Sequence, residues 1–203
     1  MKTTTNQGKS NRIVGEISNG TRVIDLSAAI YSGMETYPGD PDVDIDRVHN
    51  HATKGWELRK ISMGSHTGTH VDAFSHMHQT KGSLDDIAIE RFMGRAAVVA
   101  LDDDWPEEVG LFFITPIGID VFERIVKSRP GFVGGNLSEE LERALLGEDI
   151  ITYTNLINLD LIPKGRTFLF IGLPLKIRQG DGSPVRAIAI VEEGPANLAR
   201  CPE

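Results

Sequence analysis

Residues 64–78 (GSHTGTHVDAFSHMH) constrain this chain more than any other stretch. They hold four of its six histidines, one aspartate and two glycines, with no lysine or arginine among them. Imidazole and carboxylate are the donors a borderline divalent cation takes, so the segment has to bring several of them to one point. Regular structure cannot do that. On an α-helix His66 and His70 share a face, but Asp72 points about 200° away from His70 at roughly 3.6 residues per turn. On a strand the even positions face one way, but His66 and Asp72 are then roughly 20 Å apart. The chain must fold back between them. Gly68, flanked by Thr67 and Thr69, is the residue free to take the unusual backbone angle. The reading is a strand that ends near Met63, then a turn that aims His66, His70 and Asp72 at one divalent ion, Zn2+ ahead of Mn2+. His76 follows as a general base or acid, or as a ligand to a second ion; its ordinary pKa of about 6.5 suits proton transfer at neutral pH. His78 reads as a surface or supporting residue.

Around this segment strands alternate with a few helices, the pattern of a mixed α/β domain. Strands are expected over 21–27, 43–48, 56–63, 96–101, 111–115, 150–153, 168–177 and 185–191. Helices are expected over 83–95, with Ser83 as N-cap and Asp85 and Asp86 in the first turn, over 119–128, and over 138–146 with Ser138 as N-cap. Residues 28–41 carry Gly33, Pro38, Gly39 and Pro41 and form a long irregular loop of the kind that often lines a site. Tyr37 in that loop is a candidate substrate contact, or an aromatic packed beneath it. Residues 178–184 (RQGDGSP) read as a turn between the last two strands, too rich in breakers to be a strand. Arg186 stands among Val185, Ala187, Ile188, Ala189 and Ile190. A buried arginine needs a partner, because breaking a buried ion pair costs roughly 3–5 kcal/mol. Arg186 is therefore expected to pair with an acidic side chain, Asp25 or Asp40 first, or with backbone carbonyls near the metal loop, and to brace that loop from behind.

Residues 1–15 are polar and read as a disordered tail, leaving 16–203 as one domain; 203 residues, 40% of them hydrophobic, supply one sizeable core and not two. A net charge of −8 argues against nucleic acid and anionic membrane as partners. No apolar run approaches the roughly 18 residues of a membrane span. The single cysteine, Cys201, has no internal partner, which is compatible with a reducing, cytoplasmic location.

The histidine segment also resembles His-x-Gly-Thr-His-x-Asp-x-Pro-x-His, the signature of the metal-dependent cyclase family, the group of bacterial kynurenine formamidases and isatin hydrolase. Every position matches but one: Phe74 stands where the proline belongs. Residues 25–27 (DLS), 33–34 (GM) and 37–41 (YPGDP) resemble the family's N-terminal block, and 173–177 (LPLKI) and 181–187 (DGSPVRA) its C-terminal block. The resemblance implies the swivelling β/β/α, cyclase-like fold with a mixed sheet core. It implies a homodimer or homotetramer with pockets near the subunit interfaces, where Trp56, Phe112 and Phe113 are candidate contact aromatics. It also implies an arylformamidase-like hydrolase that cleaves the C–N bond of an N-acyl (formamide-type) or cyclic amide through a metal-activated water. Two positions depart from the family. Thr154, just before 155–159 (NLINL), stands where a ligand glutamate is usual, and Glu142 falls near the place of a histidine. One ion per chain is therefore expected, with Thr154 and Phe74 as candidate substrate contacts. The reading from the other class is a catalytically degenerate relative that binds a small ligand or acts as an oligomeric scaffold; metal content and amidase assays separate the two.

Overall fold

The computed structural model describes residues 14–18 and 20–192. Cys201 and residues 1–13 of the expected tail lie outside them, while Val14 and Gly15 already belong to the first strand. The strands are β1 (Val14–Ser18), β2 (Thr21–Asp25), β3 (Asp44–His49), β4 (Leu58–Ser62), β5 (His70–Asp72), β6 (Met93–Val98), β7 (Gly110–Ile117), β8 (Phe132–Leu137), β9 (Ile151–Thr154), β10 (Thr167–Ile171), β11 (Gly182–Pro184) and β12 (Ile188–Glu192). The helices are α1 (His51–Lys54), α2 (Phe122–Ser128) and α3 (Glu139–Gly147). Ten strands form one mixed sheet in the order β1-β2-β12-β10-β6-β7-β8-β9-β5-β11. The pairs from β6 to β9 are parallel and the rest antiparallel. Parallel neighbours need crossovers, and α2 and α3 sit in two of them, between β7 and β8 and between β8 and β9. Among the described residues no helix is long and apolar enough to cross a membrane.

Alternation along the central strands builds a core on each face of the sheet. Phe112 points to one side and meets Phe132, Phe168 and Phe170, with Tyr153 alongside. Leu111, Phe113 and Val133 point to the other and pack with Ile125 of α2 and Leu141 and Leu145 of α3. Phe112 and Phe113, expected at a subunit interface, are both 0% exposed and belong to these two cores. The strand is covered on both faces, which a continuous apolar run signals. Burying each ring stabilises the fold by roughly 1.5–3 kcal/mol. Helix α3 starts as expected: the Ser138 hydroxyl accepts from the Leu141 N–H, a cap worth about 1 kcal/mol.

Three local expectations give way to tertiary contacts. Residues 83–95 form no α-helix but a turn, a short 3-10 helix (Ile89–Phe92) and the start of β6. The carboxylates expected to face a helix dipole are used to tie the turn: Asp86 accepts from the Ser83 N–H and hydroxyl, and Asp85 from the Gln179 N–H. The strand expected over 168–177 ends at Ile171. The turn expected over 178–184 contains strand β11, which pairs with β5 as Gly182↔Asp72, Ser183↔Val71 and Pro184↔His70. As the sheet's edge strand, β11 tolerates a proline.

Strands β3 and β4 form a separate two-stranded sheet. None of the five residues of β4 is buried, and Val48, Trp56, Leu58 and Ile61 are exposed.

Candidate active site

Strand β5 organises the site. Its alternation sends Val71 into the core and turns His70 and Asp72 to the opposite face. It lies between β9 and β11, so its polar side chains receive partners from both neighbours. The preceding turn is closed by the Thr67 hydroxyl, which donates to the Gly64 carbonyl (2.8 Å). Gly68 takes φ +62° there, the left-handed angle that favours glycine. This brings His66 back over β5, where Nδ1 lies 2.8 Å from Asp72 Oδ1. After β5 a 3-10 helix (Phe74–His76) turns the chain again and stacks the His76 ring on His66, with centroids 3.8 Å apart.

His66, Asp72 and His76 each present a ligand atom, and these atoms all lie within 4.8 Å of one another. Two imidazoles and a buried carboxylate at that spacing fit a divalent ion. The grouping differs from the sequence reading in one respect. His76, expected as an acid–base residue or as a ligand to a second ion, stands inside the tightest group, and His70, expected as a ligand, stands beside it. His70 Nδ1 donates to the Gly68 carbonyl (2.7 Å), and Nε2 faces the Thr154 hydroxyl (2.7 Å) and Asp72 Oδ1 (3.5 Å). Nδ1 therefore carries the proton, and Nε2 keeps a free pair. A residue from outside the segment completes the cluster: Asp181 Oδ2 lies 3.0 Å from His66 Nε2 and 3.7 Å from His76 Nδ1.

The electrostatics follow from burial and partners. Burial pushes the Asp72 carboxyl up, but the His66 hydrogen bond, the neighbouring His70 imidazole and the Thr152 hydroxyl (2.7 Å) outweigh it and hold it below the usual range. Burial pulls the His66 imidazole down, yet Asp72 and Asp181 raise it to about 9. Burial lowers His70 and His76, so both are neutral at pH 7. Glu142, on α3, is pushed up to about 8 by burial and by the charges of Asp72 and Glu139.

An open cleft of about 1190 Å³ lies over this face, lined by His66, His70, Asp72, His76, Thr154 and Glu142 among others. Tyr37 and Asp40 of the 28–41 loop also line it. Two expected site residues do not. Phe74 is buried in the core below the site, where it packs with the cluster around Phe92 and Leu84; an aromatic in place of a proline fills that hollow instead of facing substrate. Arg186 pairs with Asp25, Nε to Oδ1 at 2.9 Å and Nη2 to Oδ2 at 2.7 Å. Asp25 was one of the two partners expected first. Its side chain is nevertheless 76% exposed, so it is no buried charge. Alternation points it outward between Val185 and Ala187.

Sequence reasoning missed Asp181, which it placed in a connecting turn, and gave Glu142 no role. The signal for Asp181 was the acidic residue beside the glycine of 181–184, unreadable without the β5–β11 pairing.

The chain belongs to the putative cyclase family, whose model matches residues 24–130. It is 28% identical over 210 residues to a kynurenine formamidase of Salinibacter ruber, covering 82% of this chain and 96% of that one. A kynurenine formamidase of Sphingopyxis alaskensis is 26% identical over 208 residues, covering 83% and 97%. In structure it is similar to isatin hydrolase A of Labrenzia aggregata, with a TM-score of 0.75 and 22% identity over 86% of this chain and 95% of that one. That likeness places the mixed sheet in the cyclase-like fold.

Proposed function

We propose that this chain is a metal-dependent hydrolase that cleaves the C–N bond of a small N-acyl or cyclic amide. The observation that carries the reading is the convergence of His66, Asp72 and His76 at the floor of an open cleft, within 4.8 Å of one another. The kinship with kynurenine formamidases over nearly their whole length supports the amide as substrate. In this reading His66, Asp72 and His76 hold one divalent ion, Zn2+ ahead of Mn2+, and His70 stands beside them as the acid–base residue. Such an ion, when bound, lowers the pKa of a bound water and polarises a carbonyl.

The chain's own residues supply the rest. His70, neutral and with Nε2 turned to Thr154, accepts a proton at that atom. Breaking an amide C–N bond sends the electron pair to nitrogen, which must be protonated as it leaves. Glu142, held up to about 8, carries its proton at neutral pH and lines the same cleft; it is the donor to that nitrogen. Tyr37, Leu156 and Ile157 offer apolar surface to the ring or acyl part of the substrate. Thr154, a neutral hydroxyl against His70, gives no anionic ligand for a second ion. A scaffold without catalysis would rest on the departures at Thr154 and Glu142; the convergence of His66, Asp72 and His76 favours the enzyme. The assembly belonging to this reading is a dimer or tetramer built through the exposed β3–β4 hairpin.

Metal analysis of the purified chain, followed by hydrolysis assays on N-formyl anilides and on lactams, tests the reading. We expect about one Zn2+ per chain, turnover of one of the two substrate types, and loss of turnover on chelation. A chain that takes up no divalent ion, or that holds one and cleaves neither substrate type, would overturn it.

A further inference from the structure

We propose that Asp181 and Gly182, at the entrance to β11, are the positioning element of the metal site. Asp181 accepts the Nε2–H of His66, which leaves Nδ1 of that ring on the Asp72 side as the ligand nitrogen. The inference rests on the metal reading above. His66 touches a carboxylate at each ring nitrogen, Asp72 Oδ1 at 2.8 Å and Asp181 Oδ2 at 3.0 Å. The two carboxylates are not equivalent. Asp72 is buried and belongs to the ligand group. Asp181 has a half-exposed side chain, lies outside that group, and is held by the backbone: its carbonyl accepts from the Ala73 N–H at 2.8 Å. That bond ties it to the residue between Asp72 and the 3-10 helix that carries His76. A ligating imidazole whose far N–H meets a carboxylate is fixed in one tautomer and one orientation.

Gly182 makes the contact possible. A Cβ at this position would lie 2.3 Å from His66 Cε1 and 2.8 Å from Nδ1. The ring lies directly on the β11 backbone, and any side chain at 182 would push it off. The Asp-Gly pair is thus a seat for one histidine: the glycine supplies the floor and the aspartate the stop that sets the ring's rotation. Neither residue touches substrate in this account; they act through His66.

Zn2+ affinity by competition with a chromogenic chelator, and the visible spectrum of the Co2+-loaded full-length chain, test it. Asp181→Ala should weaken Zn2+ binding about 10–100-fold, with the stoichiometry unchanged and the Co2+ spectrum altered. Asp181→Asn, whose amide oxygen still accepts from Nε2–H, should recover part of the affinity. Gly182→Ala should weaken binding in the same direction; if it fails to fold, the Asp181 pair decides alone. Wild-type affinity and spectrum in Asp181→Ala would overturn the inference. So would an Asp181→Asn variant as weak as the alanine, since an amide cannot stand in for a ligating carboxylate. A wild-type chain that binds no divalent ion would sink the metal reading and this inference together. A binding wild type with an indifferent Asp181 would sink the inference alone.

Discussion

The β5 end of the large sheet and the β3–β4 hairpin are opposites in what they hide. At β5, polar groups are inside: Asp72, Thr152 and Ser183 are buried, and each meets a hydrogen-bond partner. At the hairpin, apolar groups are outside: Val48, Trp56, Leu58 and Ile61 stand in solvent. Each region inverts the usual rule for a soluble chain, and for a different reason. Buried polar groups cost free energy unless they are paired, and here the Asp72–Thr152 pair joins two strands 80 residues apart in sequence. Exposed apolar groups cost little singly, and it is a contiguous patch of them that marks a surface for another molecule. In the proposed function the first region takes the ion and the small substrate, and the second is the proposed subunit contact.

Substitutions sharpen that contrast. The largest effect is expected at the buried end. Asp72→Ala removes a member of the proposed ligand group, leaves the Thr152 hydroxyl without its partner and leaves His66 with Asp181 alone; Zn2+ binding should fall beyond about 100-fold, read by chelator competition, with hydrolysis lost. Thr154→Glu should come next. It places a carboxylate against His70, and metal analysis should move from about one towards about two ions per chain; an unchanged count would show that Thr154 does not limit the site.

Glu142→Gln tests the charge balance of the same end. The folded chain holds the Glu142 proton up to about pH 8, well above the ordinary glutamate value. Between those two values the folded state binds more protons than the unfolded state, so stability present at low pH is lost as pH rises. Glutamine has no such loss. The melting temperature of the variant should therefore gain on the wild type from about pH 5 to about pH 8, at roughly 2–4 °C per kcal/mol for a chain of this size. At the same time the variant should lose most of its turnover.

At the hairpin the expected effects on stability are small. A Trp56→Ser, Ile61→Ser double variant should change monomer stability by about 0.5 kcal/mol or less per site, yet shift the assembly to monomer in light scattering. A variant that stays assembled would move the interface elsewhere. Arg186→Met should be smallest of all: its pair is solvent-exposed on the arginine side, and such pairs contribute about 0–1 kcal/mol.

How far the sequence reaches differs between the two regions in the same way. The clustering of His66, His70 and Asp72 was legible because histidines and an aspartate are dense in one segment and Gly68 is free to reverse the chain; that His70–Asp72 form a strand, with His76 inside the group, was not. Asp181 was not, because it meets His66 from 115 residues away through strand β11, which has proline and glycine in three residues. The misread helix at 83–95 failed for a related reason: Asp85 bonds to Gln179, 94 residues off. Arg186 shows the limit of composition. Its apolar neighbours suggested burial, but alternation sets its direction. For the hairpin, both strands were expected close to where they lie, the first from its alternation, and the pattern could say nothing about what covers them.

The order of strands has a consequence for how the chain is made. β12, the last strand described, lies between β2 and β10 and joins the N-terminal pair to the rest of the sheet. β11, just before it, closes the far edge beside β5. A nascent chain halted after Ile171 therefore lacks both the strand that unites the sheet and the seat of His66, although nearly all of its core residues have been synthesised. Assembly must wait for a few late residues to find partners laid down at the beginning. Pairings of such long sequence separation fold slowly, on the millisecond-to-second scale, and leave edges open to other chains meanwhile. Free chains truncated at successively later C-terminal residues should stay protease-sensitive until they reach about residue 192, then become resistant in one step.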